Sequence, residues 1–386
     1  MKKFLFGILA LLASYFLATL IVPGIIERSR NPVTHDADYQ VSEEAKDFYK
    51  SLDFVADLHC DALLWGRDLT KRSKSGHVDF PRMQEANVAL QVFTIVSKSP
   101  QGQNMKTNDA DATDNITLLN IVQGRPITNW FSLIKRTLYQ AELLHDFEKR
   151  FQNKFIFIKS KSDLLQLIEK RKTDKSVIGG LLGIEGAHAL EGKIENIDKV
   201  YAAGVRLIGP MHFIDNELGG SAHGQSNEGL TAFGRAAIKR MNELNIIIDL
   251  AHASPKVIEE VLEISSKPVM VSHTGIRGVL NSPRNLSDDQ IRKIASKGGI
   301  IGIAFFDEAV GTDELRGIVA SMVRVKNLVG IDHLALGSDY DGSVAVPFDI
   351  TGLPVIVEAL LQEGFTQDEI AAVMGGNVKK FLLENL

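Results

Sequence analysis

The sequence predicts an α/β protein, a (β/α)8 TIM barrel preceded by an N-terminal transmembrane or signal segment. Three observations predict it. Eight short apolar runs recur along the chain, helical patterning fills the spaces between them, and most runs end on a residue able to bind metal or move a proton. Strands of a parallel barrel are covered on both faces, so they read as near-continuous Val/Ile/Leu segments, and the active site gathers at their C-terminal ends. The runs cover residues 54–61, 89–97, 177–186, 205–212, 246–252, 268–274, 300–305 and 333–339. Their polar endings His59, Asp61, Glu185, His212, His252, His273 and Asp339 are expected to converge on one mouth. That convergence argues for an enzyme.

The chain opens with Lys2 and Lys3, then an uncharged apolar stretch over 4–22 closed by Pro23-Gly24. This is nearly enough to cross a hydrocarbon core of about 30 Å, whereas a cleaved signal has a shorter apolar region and a small-x-small site, which is not evident here. Residues 1–26 therefore read as a signal-anchor or signal peptide, 27–45 as a polar tether, and 46–386 as the barrel domain. Positive charge ahead of the span predicts a cytoplasmic amino terminus and an exported domain. In a bacterium the domain would face the periplasm from the inner membrane, and cleavage would make it secreted.

Composition narrows the class further. With 386 residues, 45% hydrophobic and 24% charged, the chain can bury a large core. Its 43 basic and 48 acidic side chains give a formal charge of -5 without long single-sign runs, which argues against a nucleic-acid partner or a polybasic membrane surface. The single Cys60 excludes an internal disulfide and a cysteine-rich metal site.

Helix signals punctuate the runs. Ser42-Glu43-Glu44 resembles a helix start, Gly229-Leu230-Thr231-Ala232-Phe233-Gly234 leads into a helix, Ser254-Pro255 opens another, and Ser287-Asp288-Asp289-Gln290 fits a capping box. The long gap over 98–176 begins polar and unpatterned, then shows helical spacing over 116–150. It reads as a loop plus helices overhanging the mouth.

His59-Cys60-Asp61 places imidazole and carboxylate two positions apart, on one face of an extended strand. Together they suit a borderline divalent ion such as Zn2+. His252 and His273 each stand where an apolar run meets the rim, and Glu185 ends a third. Five such donors exceed what one catalytic zinc needs. Two ions about 4 Å apart, sharing Glu185 and activating a bridging hydroxide, fit better.

His59-x-Asp61, Gly183-Ile184-Glu185-Gly186-Ala187-His188, Gly229-Leu230-Thr231-x-Phe233-Gly234, Ile248-Asp249-Leu250-Ala251-His252-x-Ser254, Ser272-His273, Arg284-Asn285 and Gly337-Ser338-Asp339-Tyr340-Asp341-Gly342 resemble the membrane (renal-type) dipeptidases. The likeness runs in order over 54–383. It implies a TIM-barrel dipeptidase with two Zn2+ per chain: His59 and Asp61 on one ion, His252 and His273 on the other, Glu185 bridging. It also implies that His212 stabilises the oxyanion, Arg284 binds the dipeptide carboxylate and Asp339 relays the proton. Tolerance of a C-terminal D-residue in the family extends the expected substrates to mixed-chirality dipeptides, and family barrels often pair, making a homodimer an implied state.

Two departures stand out. Cys60 lies between the first two donors, where alternation should turn it away from them, and the 98–150 region is longer than in animal members. Other readings of the residues are a binuclear amidohydrolase of cyclic amides, lactones or β-lactams, and an exported solute- or metal-binding barrel. Asp249 reads as a hydrogen-bond acceptor behind the donors, Asp341 as a turn former, and His188, His223 and His333 as structural.

Overall fold

The computed structural model describes residues 2–34 and 39–386. The apolar runs become β1 (Val55–Cys60), β2 (Val88–Val96), β4 (Ile178–Glu185), β5 (Val205–Ile208), β6 (Ile247–Ile248), β7 (Met270–Thr274), β8 (Ile300–Ile303) and β9 (Leu334–Leu336). A ninth strand, β3 (Phe155–Ile158), falls in the long gap that read as loop and helices. The ladders are parallel and run β6-β5-β4-β2-β1-β9-β8-β7. Leu250 N donates to Met270 O at 2.8 Å, and the Asp249–Met270 bridge joins the two ends, so eight strands form a ring. The expected barrel is the fold observed.

β3 lies off that ring. It pairs with the first half of β4, from Phe155 against Ile178 to Ile158 against Leu181, while β5 takes the second half from Leu182 onward. Glycines make this crowding feasible: a Cβ on Gly180 would come within 2.5 Å of the Phe155 ring, and one on Gly179 within 2.5 Å of Leu167. β1, β2 and β4 are buried along their whole length, as strands covered on both faces require.

Helix starts follow the capping chemistry. Ser42 accepts from Ala45 N, Ser254 caps a helix whose first residue is Pro255, and Ser287 with Gln290 forms a complete capping box. In chain order the first helices are α1 (Lys2–Arg30), α2 (Glu43–Ser51), α3 (Phe80–Glu85), α4 (Asn115–Val122), α5 (Thr128–Phe131) and α6 (Leu133–Arg150). The last three form the overhang, locked by Arg136 of α6. Its guanidinium reaches Asp114 and Thr117 Oγ1, each at 2.7 Å, and the carbonyls of Ser97 and Asn129.

Over its apolar stretch α1 is exposed, and it is long and apolar enough to cross a membrane. Its end is different. Glu27 is buried in an ion pair with Arg67, Asn31 Oδ1 accepts from Ser343 N at 2.9 Å, and Thr34 N donates to Val346 O at 2.9 Å. The start of the stretch read as a tether is thus fastened to the barrel.

Candidate active site

The C-terminal ends of the strands deliver the polar residues to one place. His59 lies in β1 with Asp61 just after it, Glu185 ends β4, His273 lies in β7, and His212, His252 and Asp339 sit in the turns after β5, β6 and β9. All are buried. Glu185 is central: its Oε1 lies 3.1 Å from His252 Nε2, 3.3 Å from His273 Nε2 and 3.5 Å from His59 Nε2, and its Oε2 lies 3.2 Å from His212 Nε2. Asp61 and Asp339 flank His59 Nε2 at 3.6 and 3.8 Å.

Neighbouring polar groups hold these donors. Ser272 Oγ contacts Nδ1 of both His59 and His273, at 3.0 and 2.9 Å, and Thr94 Oγ1 donates to Asp61 at 2.5 Å. Fixing Nδ1 by such contacts is how a histidine is set to present Nε2 to a cation. His252 and Asp339 adopt left-handed backbone, φ 61 and 65, which residues other than glycine adopt rarely and functional sites favour. Behind Asp339, buried Asp57 accepts from Ser338 N at 2.7 Å and from Gln91 at 2.7 Å.

Electrostatics agree with a cation-binding set. Burial holds the carboxyl of Asp339 well above the usual carboxylate range, with Glu185 and Asp61 adding to the push, and raises Glu185 as well. Burial, with Arg284 nearby, holds His252 well below its ordinary value. It does the same for His273, where His59 adds to the effect, which favours the uncharged form of both rings. His59 is the opposite case: burial disfavours its charged form, yet Glu185, Asp61 and Asp339 outweigh that and raise it to about 10. Its Nε2 is buried and makes no hydrogen bond. Three overlapping groups, His59–His273–Asp339, Glu185–His212–His252 and His59–Asp61–Glu185, could each hold a metal ion, so the residues fit the expected cofactor.

Arg284, in the loop after β7, lies beside them. It is 5% exposed, its three guanidinium nitrogens make no hydrogen bond, and it stacks over Phe306 at 5.1 Å. A cavity of about 750 Å3 joins it to Asp61, Glu185, His212, His252 and Asp339.

The remaining polar residues take supporting places. Asp249 accepts from the backbone of Ala251 and Ser272, and His223 and His333 each contact a carbonyl oxygen through Nδ1. His188 is buried. Asp341 does more than shape a turn: it takes Arg67 and the N–H groups of His77 and Val78. Cys60 is buried behind the donors with Sγ 3.9 Å from Asp341. Sequence reasoning gave no role to Ser272, Thr94, Asp57 or His77. Asp57 carried a signal, since Asp57, His59 and Asp61 alternate along one run.

A closed parallel barrel with buried imidazoles and carboxylates at its C-terminal mouth defines the class, a barrel metallohydrolase. The chain belongs to the membrane dipeptidase family, peptidase family M19, whose pattern matches residues 43–384. It is accordingly a metallopeptidase that hydrolyses peptide bonds. It is 26% identical over 322 residues to dipeptidase tcpJ of Claviceps purpurea, covering 80% of this chain and 69% of that one. It is 34% identical over 216 residues to an uncharacterised protein of the pqqA 5′ region of Klebsiella pneumoniae, covering 52% of this chain and 79% of that one. Among solved structures, the barrel superposes on the probable dipeptidase PvdM of Pseudomonas aeruginosa, with TM-score 0.74, 18% identity, 89% of this chain and 98% of that one. A metallopeptidase of Rhodobacter sphaeroides, liganded with a phosphinate mimic of L-Ala-D-Ala, gives 0.69 at 23% identity over 86% and 99%. These likenesses support the fold.

Proposed function

We propose that the chain is a two-zinc dipeptidase in which His59 and Asp61 hold one ion, His252 and His273 the other, and Glu185 bridges them. Imidazole with carboxylate suits zinc, and the central position of Glu185 supports a shared ligand. Bound ions would supply an activated water and polarise the scissile carbonyl. The chain's own residues would do the rest.

The observation that carries the substrate reading is Arg284, a buried guanidinium without a hydrogen-bond partner, at the side of the donor cluster. Such a fork matches a carboxylate in two parallel hydrogen bonds, so it selects a free C-terminus and limits substrate length. His212, whose Nε2 lies 3.2 Å from Glu185 Oε2 at the donor cluster, would stabilise the carbonyl oxygen as charge develops, in the form that carries a proton on that nitrogen. Asp339, its carboxyl raised toward neutrality, would accept a proton and return it to the departing amine. The L-Ala-D-Ala mimic held by the Rhodobacter protein supports trying C-terminal D-residues here.

Residues 1–26 are proposed as an uncleaved anchor, with the barrel of 46–386 on the exported side and pairing of barrels into a homodimer as its assembly. The test of function is direct: purify the whole chain, count bound metal, and follow L,L and L,D dipeptides with and without chelator. Two zinc ions and chelator-sensitive cleavage are expected. Cleavage of cyclic amides or lactones far faster than of dipeptides would overturn the reading.

A further inference from the structure

Part of the cavity wall is apolar, and some of it comes from α1. Leu64, Trp65, Val96, Ile116 and Leu119 form an apolar cluster of their own, and Ile26 packs on it. Ile26 and Arg30 line the same cavity as Asp61, Glu185 and Arg284.

Topology sets which end of a substrate meets this wall. In the ring β2 stands opposite β7. Val96 ends β2 and α4 follows it, whereas Arg284 follows β7. A dipeptide held by its carboxylate at Arg284, with its peptide bond at the donor cluster, therefore extends its amino-terminal residue toward Trp65, Leu119 and Ile26. The cavity volume of about 750 Å3 lies well up the range of ~300–1,000 Å3 typical of ligand pockets. Two small residues leave much of it unfilled.

The end of α1 is also fixed by polar contacts. Glu27 pairs with Arg67, Arg67 pairs with Asp341, and Trp65 Nε1 donates to Asp341 O at 2.6 Å. Asp341 thereby ties the helix and Trp65 to the turn carrying Asp339. The family pattern begins at residue 43, so Ile26 lies outside it.

We propose that the apolar wall is the subsite for the substrate's N-terminal side chain, and that Ile26 of the anchoring helix is a specificity-determining residue. The substrate class is dipeptides whose N-terminal residue carries a large apolar side chain. This rests on the dipeptidase reading above.

The whole chain, zinc-loaded and held in phosphatidylcholine nanodiscs, is assayed on Gly-Ala, Leu-Ala and Phe-Ala. Wild type should favour Phe-Ala and Leu-Ala over Gly-Ala. Ile26→Trp, which fills the wall, should cut that preference by about 10-fold or more, mainly through KM, and Ile26→Leu should restore it. A merely structural effect would lower all three substrates together. Leu118→Trp fills the same cavity from an exposed position on α4 and repeats the test without touching α1. Dipeptide cleavage with no preference, or a preference that neither tryptophan alters, overturns the subsite while leaving the dipeptidase intact. Cleavage of none of the three, together with an inactive L,L and L,D panel, overturns the dipeptidase reading and this inference with it.

Discussion

The guanidinium of Arg284 is a cation taken out of water, and burial lowers its affinity for a proton, with Asp339 and Glu185 opposing that effect. A substrate carboxylate would supply the missing hydrogen bonds, and charge-assisted bonds contribute about 1.5–3 kcal/mol each. Arg284→Ala should therefore raise KM by at least about 10-fold, with a smaller change in kcat. Unchanged kinetics would remove it from substrate binding. Asp339→Asn should keep its metal yet lose kcat by about 100-fold or more, the usual worth of a positioned acid or base. Full activity in that variant would end the proton-relay role. At this scale the sequence was informative because each donor ends an apolar run, where a barrel exposes side chains to its mouth. Ser272 and Thr94 were not legible, since hydroxyls are common in strands and only the fold brings Ser272 beside His59.

Among the elements, α4 to α6 depend on one side chain. Burial tends to raise the carboxyl of Asp114, but Arg136 holds it below the ordinary range, and Asp114 in turn caps α4. Removing one partner of a buried pair strands the other, at a cost of about 3–5 kcal/mol. Arg136→Met should lower stability to urea by about that much, and hydrogen exchange should quicken over 114–131 before the barrel opens. Uniform protection in the variant would mean that the overhang is held by packing instead. Element reading succeeded where patterns were long or capped, as at Ser287-Gln290. It failed for β3, because four residues, Phe155-Ile156-Phe157-Ile158, carry too little periodicity to separate a strand from the end of a helical region. It also read a tether where Glu27 and Asn31 are docked, because Arg67 and Ser343, their partners, are remote in sequence.

For the molecule as a whole, buried neutral histidines weaken the fold in acid, while the raised carboxyls of Asp339 and Glu185 act the other way. Burial lowers His188 from 6.5 to about 3, with His212 and Lys98 adding to the effect, and burial lowers His77 despite Asp341 beside it. The unfolded chain takes up a proton at His188 below pH 6.5, whereas the folded one does so only near 3. Unfolding is therefore favoured progressively as pH falls between these values, by about 1.4 kcal/mol per pH unit for each such proton. Relative to the unsubstituted protein, His188→Gln should gain melting temperature as pH falls from 7 to 5, because its own penalty is removed. Equal slopes in the two proteins would refute the buried-neutral assignment. The barrel itself was legible at this scale because its eight runs and their order survive in the chain. The closure between β6 and β7 was not, since it rests on a single bridge beyond a two-residue strand.

Cys60 gives the molecule a practical property. Burial holds its thiol well above its ordinary value, and Asp341 adds to the push, so it has little thiolate with which to meet an oxidant, a partner thiol or a labelling reagent. Any cysteine introduced on the overhang or along α1 would then be the one addressable sulfur in the chain. A spin label or fluorophore could be placed there without first removing the native residue.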